Sequence, residues 1–310
     1  MIPPVAILLF FCLLPLVRPQ PYLISFLLTL FMFIALSESW NIIGSAGYIS
    51  FGHVTFFGVG AYTTSLFFLH LKLSPFLTAP VAGFLASVVA VIFGYPCLRL
   101  RGPYFTITTF CMSLAVQAVV MNLRFTGMTT GFWLPLPKYD VFTGRLIFYE
   151  VMLGLLAVII FIVWHISRSK FGLALASIRE EEDTAQTLGV NVTRVKMTAF
   201  TLSAFLTGVV GGIYAYYRTY VNPDIMFDLF ISISVMLMCL LGGTRSIIGP
   251  VLGALIVTAL SELFTGVLGI EAEYSRIIYG LILALVIMFL PNGIMSLDVA
   301  RRLAGARRGE

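Results

Sequence analysis

The sequence predicts an all-α fold: a polytopic bundle of about eight to ten transmembrane helices, one of them broken at a Gly-rich stretch. Three observations predict it. Hydrophobic residues make up 59% of the 310 and charged residues 11%. Soluble domains carry about 25% charged residues, so this chain lacks the polar groups to cover a globule in water. Its apolar stretches are long and do not alternate with period two. Inside a bilayer that selects helices over a closed barrel, because every backbone N–H and C=O must pair internally. Where the second apolar stretch gives way to the third lies GYISFGHVTFFGVGAY, residues 47–62, whose four glycines allow a helix to loosen or break.

Apolar segments fall near 4–17, 22–43, 53–70, 76–97, 104–123, 146–167, 197–217, 227–241, 247–265 and 274–290. The first, within MIPPVAILLFFCLLPLV, has no Lys or Arg ahead of its apolar core and no A-x-A site, so it reads as a short span rather than a signal peptide. Counted as simple crossings, the ten segments put the loops at 98–103, 168–196 and 242–246 and the tail 291–310 on one side. That side carries Arg99, Arg101, Arg168, Lys170, Arg179, Arg194, Lys196, Arg245, Arg301, Arg302, Arg307 and Arg308. The other carries Arg18, Lys72, Arg124, Lys138, Arg145, Arg218 and Arg276. Twelve against seven of the 19 Lys and Arg residues places the first side, with the C-terminus, in the cytoplasm. The basic tail RRLAGARR fits an anionic inner leaflet. If 44–52 breaks a helix within the membrane, 22–70 is one interrupted span and the N-terminus changes sides. The whole chain, 1–310, is read as a single transmembrane domain, and its net charge of +5 is a membrane pattern rather than a nucleic-acid signal.

The longest cytoplasmic segment runs from Arg168 to Lys196. Phe171–Leu188 reads as one short helix with an apolar face of Leu175, Ile178, Ala185 and Leu188. Gly189 is placed to end it, and Asn191 or Thr193 to cap the next helix. Its acidic run, Glu180 to Asp183, has two readings: a solvated face that keeps the loop soluble, or a docking element for a cytoplasmic partner.

Several chemistries find no motif. There is no G-x-x-x-x-G-K-[ST] and no Gly-Lys pair to cradle a phosphate. His53, His70 and His165 have no metal spacing, and no Ser sits in G-x-S-x-G. Cys12, Cys97, Cys111 and Cys239 lie in or beside apolar runs and read as small hydrophobes. No catalytic and no metal residues are assigned. An ion-coupled secondary transporter would need an ionisable group at membrane depth. Glu150 and Glu262 lie near span ends, which leaves Glu38 as its one candidate.

Four blocks carry a resemblance. SAGYISFGHVTFFGVGAYTTSL resembles the Gly-x-x-Ser-x-Gly-His-x-x-Phe-Phe-Gly-x-Gly-Ala-Tyr stretch of the permeases of ABC importers for branched-chain amino acids, the LivM type. RGPYFTITTF, residues 178–215 and LGGTRSIIGPVLGAL are similar to further blocks of that family, in the same order, over about residues 38–300. Met128 stands at a usual glycine, Glu38 at a usually apolar or small position, and Glu182-Asp183-Thr184-Ala185 is a loose version of the Glu-Ala-Ala signature. The resemblance implies a subunit of the bacterial inner membrane that hydrolyses nothing and binds no cofactor itself. ATP and Mg sit on two cytoplasmic ATPase partners, a second permease completes a heterodimeric pore in the lipid, and an extracytoplasmic binding protein delivers the small-molecule solute. A urea or short-amide importer is the alternative within the same family.

On this reading, Gly44–Gly60 is a discontinuous helix beside the translocation pathway. Gly47, Ser50, Gly52 and His53 lie near the break, and the restarting helix points its N–H groups at the solute. Simple helix packing and a His53–carbonyl bond are the plainer explanation. Gly243 and Ser246, in Gly-x-x-Ser-x-x-Gly, echo the first element and hint at an internal repeat. Glu181, Glu182, Asp183, Ala185 and Gly189 are assigned to ATPase coupling, with Glu182 and Asp183 facing basic or donor groups of that partner.

Overall fold

The computed structural model describes residues 11–12, 20–135 and 141–267, with separate positions between 269 and 294. The expected spans 4–17 and 274–290 and the tail 291–310 fall wholly or mostly outside the described residues. The eight segments between them are all helical stretches long and apolar enough to cross a membrane. Prolines in the first turn start three of these helices, where a missing N–H costs nothing: α1 (Pro21–Gly44), α3 (Pro75–Cys97) and α4 (Pro103–Asn122). Between α1 and α3 lies α2 (His53–Leu71), and after α4 comes α5 (Val141–Ser167).

Two short helices follow, α6 (Lys170–Glu180) and α7 (Glu182–Thr187). The long α8 (Val192–Arg218), the single turn α9 (Pro223–Met226), α10 (Leu229–Gly242) and α11 (Ile248–Glu262) complete the order. α8 is the central strut, packed on α1, α2 and α3. Lipid offers helices no hydrophobic drive to associate, so close backbone contact between small residues takes its place. Gly60 of α2 lies so near α8 that a Cβ there would come within 2.0 Å of the Gly208 carbonyl oxygen, and one on Gly211 within 2.2 Å of the Phe57 oxygen. The small-residue face at Ala204, Gly208 and Gly212 is therefore a packing seam within this chain.

One end of the bundle gathers the segments 41–50, 98–102, 168–196 and 243–247, tied by contacts such as Arg101–Asp183, Arg179–Thr244 and Asn41–Ser246. These include the three described loops that the charge count placed together, and we call this the basic end. At the opposite end a two-residue ladder pairs β1 (Phe132–Trp133) with β2 (Tyr220–Val221). In the turn before β1, Met128 holds a left-handed backbone, φ +52°, between Gly127 and Gly131, which share that region. This is the position at which the resembled family usually has glycine.

The 168–196 segment differs from expectation in one respect. The helix breaks at Glu181, which is extended (φ −160°, ψ 122°). Leu175, Ile178 and Ala185 are buried as the pattern predicted, but Leu188 is 77% exposed. The break turns α7 out of phase with α6, so a single apolar face cannot run through both. Gly189 ends α7 at φ +88°, with the Val190 N–H on the Ala185 oxygen, and the Asn191 side chain caps α8 by accepting from the Arg194 N–H.

Candidate functional site

The helix interruption falls at the glycines, but it is a reversal at the basic end between two crossings, α1 running toward that end and α2 away from it, so 22–70 is two spans and not one discontinuous helix. α1 stops at Gly44, the chain turns through Gly47 (φ +83°), and α2 starts at His53. The restart lies inside the bundle. His53 is level with Ser203, about three turns up α8, and its Nε2 lies 2.6 Å from the Ser203 hydroxyl. Ser203 gives its proton to the Ser39 carbonyl, so the ring nitrogen is the donor and Nδ1 is left as an acceptor without a partner. Trp40 pins the break by donating to the Ser50 carbonyl at 2.8 Å.

At the start of α2, three of the N–H groups expected to face a solute are taken up by side chains. Phe51 donates to Thr109, Gly52 to the Ser50 hydroxyl and Val54 to Ser232. A buried helix start must have its free donors satisfied, and here side chains of α4, α10 and the turn itself contribute. Ser50 and His53 are buried, and the crevice beside His53, Phe57, Thr207 and Ser232 measures about 10 Å³, barely enough for one water.

Below the break, at the basic end, is a clasp that the sequence did not reveal. Lys196, in the second turn of α8, is 3% exposed, and its three ammonium protons go to the Glu182 carboxylate (2.5 Å), the Tyr48 hydroxyl (2.9 Å) and the Leu98 carbonyl (3.0 Å). Tyr48 in turn donates to Glu182 at 2.7 Å, and Arg101 approaches the same carboxylate at 3.4 Å. Burial alone would raise the Glu182 carboxyl. Hydrogen bonds from Lys196 and Tyr48, with the Lys196 and Arg101 charges, outweigh it and hold the group below its ordinary value. Glu182 therefore finds its basic and donor partners within this chain rather than facing outward. Asp183 is on the surface, paired with Arg101 at 2.7 Å, while Glu181 accepts from the Thr184 hydroxyl. Ala185 is the buried residue of α7, and Gly189 is exposed just beyond its end. The clasp joins the turn after α1, the end of α3, α7 and α8.

Residues 22–287 match the family described as "Branched-chain amino acid transport system / permease component". The chain belongs to this family. The permease is 28% identical to the high-affinity branched-chain amino acid transport system permease protein LivM of Escherichia coli K12, over 87% of this chain and 69% of that one. It is 25% identical to the corresponding LivH protein of that strain, over 82% and 87% of the two chains. A probable LivH of Methanocaldococcus jannaschii is 32% identical over 42% of each. No solved structure matches.

In the permease the second Gly/Ser element does the same local work as the first. The Ser50 hydroxyl accepts from the N–H two residues on, and Ser246 does likewise for Ile248 at 3.1 Å, each just where a helix starts. Gly243 takes φ +103° before it, and Asn41 of α1 donates to the Ser246 carbonyl, so the two elements are neighbours. Glu38 is sealed in the core with neither oxygen partnered. Among the described residues no three His, Cys, Asp or Glu side chains gather as a metal site. Lys196 was missed because it was counted as a loop charge. Its sequence signal was a lysine at the foot of a helix that turns apolar after it.

Proposed function

We propose that the chain is the permease subunit of an ATP-driven ABC importer for branched-chain amino acids, with its basic end in the cytoplasm of a bacterial inner membrane. One observation carries the coupling part of this reading: the Tyr48–Glu182–Lys196 clasp ties the short surface helix α7, which follows directly on α6, to the turn between α1 and α2. A partner that pushed on α6 and α7 would thereby move the segment that sets the start of α2. Leu173 and Leu188, 70% and 77% exposed on these helices, are apolar anchors suited to such a partner. The chain has no phosphate-cradling motif, so the nucleotide chemistry is assigned to ATPase subunits, and a second permease of the LivH kind is assigned to the other half of the pore. The pathway role of Gly47, Ser50, Gly52, His53, Gly243 and Ser246 is proposed as positioning the two helix restarts, not as binding solute through free N–H groups.

Isolation of the protein from its native membrane in mild detergent tests the assembly. A second permease and a pair of ATPases in stoichiometric amounts are expected, and a homo-oligomer surviving crosslinking would overturn the reading. Glu38 separates this function from ion-coupled transport. Replacing a buried, unpartnered carboxyl by an apolar side chain of similar length removes a desolvation cost of about 1–3 kcal/mol. Glu38→Met is therefore expected to raise the thermal midpoint and to leave ATP-driven uptake in place. Loss of uptake with an unchanged fold would instead favour the ion-coupled carrier.

A further inference from the structure

At the basic end, α1, the last turns of α5, α6 and the turn 243–247 enclose a cavity of about 330 Å³. That is the lower end of the range for small-molecule sites. Three features of its lining ask for a ligand. Arg179 of α6 is half-buried there. It donates to the Thr244 hydroxyl at 2.7 Å, yet among the described residues no carboxylate lies within ion-pair distance of it. Its neighbour Glu180 is taken by Arg245 at 3.0 Å. Burial, with the Arg245 charge, lowers the Arg179 guanidinium from its ordinary value against the partial pull of the Glu180 charge, and a bound anion would offset the lowering. Asn41 lines the same cavity at 5% exposure. Its amide nitrogen is spent on the Ser246 carbonyl, and its Oδ1 has no donor. Ile42, Val163 and Ile166 form an aliphatic wall, and Ser45, Ser167 and the Glu180–Arg245 pair also line the cavity.

An unpaired cation, an unpaired acceptor and an aliphatic wall are together the complement of one ligand class. We propose that this cavity binds a small aliphatic α-amino acid, its carboxylate on Arg179, its ammonium on the Asn41 oxygen and its side chain against Ile42, Val163 and Ile166. The recognition chemistry stands on the cavity alone; that the ligand is the transported solute, met on the side where it arrives, rests on the function proposed above. A ligand held there bridges α6 to α1 and to the turn before α11. It therefore ties the coupling helices to both helix restarts.

Equilibrium binding of radiolabelled L-leucine tests this, on the protein isolated with its bound subunits in lipid nanodiscs, without solute-binding protein or nucleotide. Saturable binding is expected, weakened at least tenfold by Arg179→Met and by Asn41→Leu, and by Ile166→Trp, which fills the cavity without touching its polar groups. 4-Methylpentanoate, which lacks the ammonium, and 3-methylbutan-1-amine, which lacks the carboxylate, should each compete at least tenfold less well than leucine. Thermal melting without ligand checks each variant's fold; if Arg179→Met fails to fold, Ile166→Trp and the two analogues decide. No saturable binding, binding unchanged in Ile166→Trp, or competition by phosphate equal to that by leucine would each overturn the site. ATP-driven leucine uptake by the wild type is read in parallel. Uptake without this binding sinks the site and leaves the function, whereas binding without uptake sinks the function and leaves the site.

Discussion

Glu182→Lys is expected to abolish uptake, while Asp183→Lys, one residue on, leaves it within about twofold. The two carboxylates differ in where their partners lie. Asp183 pairs with Arg101 at the surface, with side chains 67% and 59% exposed, and such pairs are worth about 1 kcal/mol or less. Glu182 pairs with a lysine whose side chain is 4% exposed. A lysine put in its place leaves Lys196 buried against a second cation, and breaking a buried pair costs about 3 kcal/mol or more. The cost falls on the junction of α7, α8 and the Tyr48 turn, so α6 and α7 should come loose from the turn between α1 and α2. Uptake and ATP hydrolysis measured together in proteoliposomes check this. Hydrolysis persisting without uptake is expected for Glu182→Lys, and equal effects from both substitutions would refute the inward role of Glu182. The pH dependence has a definite sign. Because the Glu182 carboxyl lies below its ordinary value, its contribution is complete above about pH 4.5 and is lost as pH falls through the lowered value.

Gly60→Ala is expected to destabilise the permease by about 3 kcal/mol, whereas Gly154→Ala stabilises it by up to about 1 kcal/mol. A single added carbon has opposite effects at the two sites because their surroundings differ. At Gly60 it would lie 2.0 Å from the Gly208 carbonyl oxygen, which belongs to backbone and cannot rotate aside. At Gly154, exposed in α5, nothing lies within 4 Å, and only the lower helix propensity of glycine remains. Thermal unfolding of the two variants in detergent, with membrane levels in cells, measures the difference. A Gly60→Ala protein as stable as the wild type would mean that the α2–α8 seam is looser than described.

Much of the fold was legible because lipid leaves a chain few choices. Long apolar stretches fix the eight described spans, and Gly47 and Gly189, both with positive φ, mark a chain reversal and a helix end through local backbone geometry alone. The clasp was not legible, because it depends on which residues of distant segments meet. Tyr48 sits in the glycine stretch, Glu182 in the acidic run and Lys196 at the foot of an apolar helix. Each alone has a plainer reading. The acidic run read as a solvated face or as an outward docking element, and only the extended backbone at Glu181 turns one of its members inward. The N–H groups at the start of α2 were expected to be free because a sequence does not show that Thr109 and Ser232, far along the chain, come to satisfy that region's donors.

The glycine seam also governs how the molecule deforms. Gly83 of α3 and Gly208 and Gly211 of α8 bring three helices together with almost no layer of side chains between their backbones. Side chains are what shears when helices slide, so α2, α3 and α8 form a stiff plate. A displacement applied at Lys196, near the foot of α8, therefore acts on α2 and α3 together with α8. The compliance of the protein is then concentrated in the turns at 45–52 and 243–247, the two places where glycine and serine interrupt its helices.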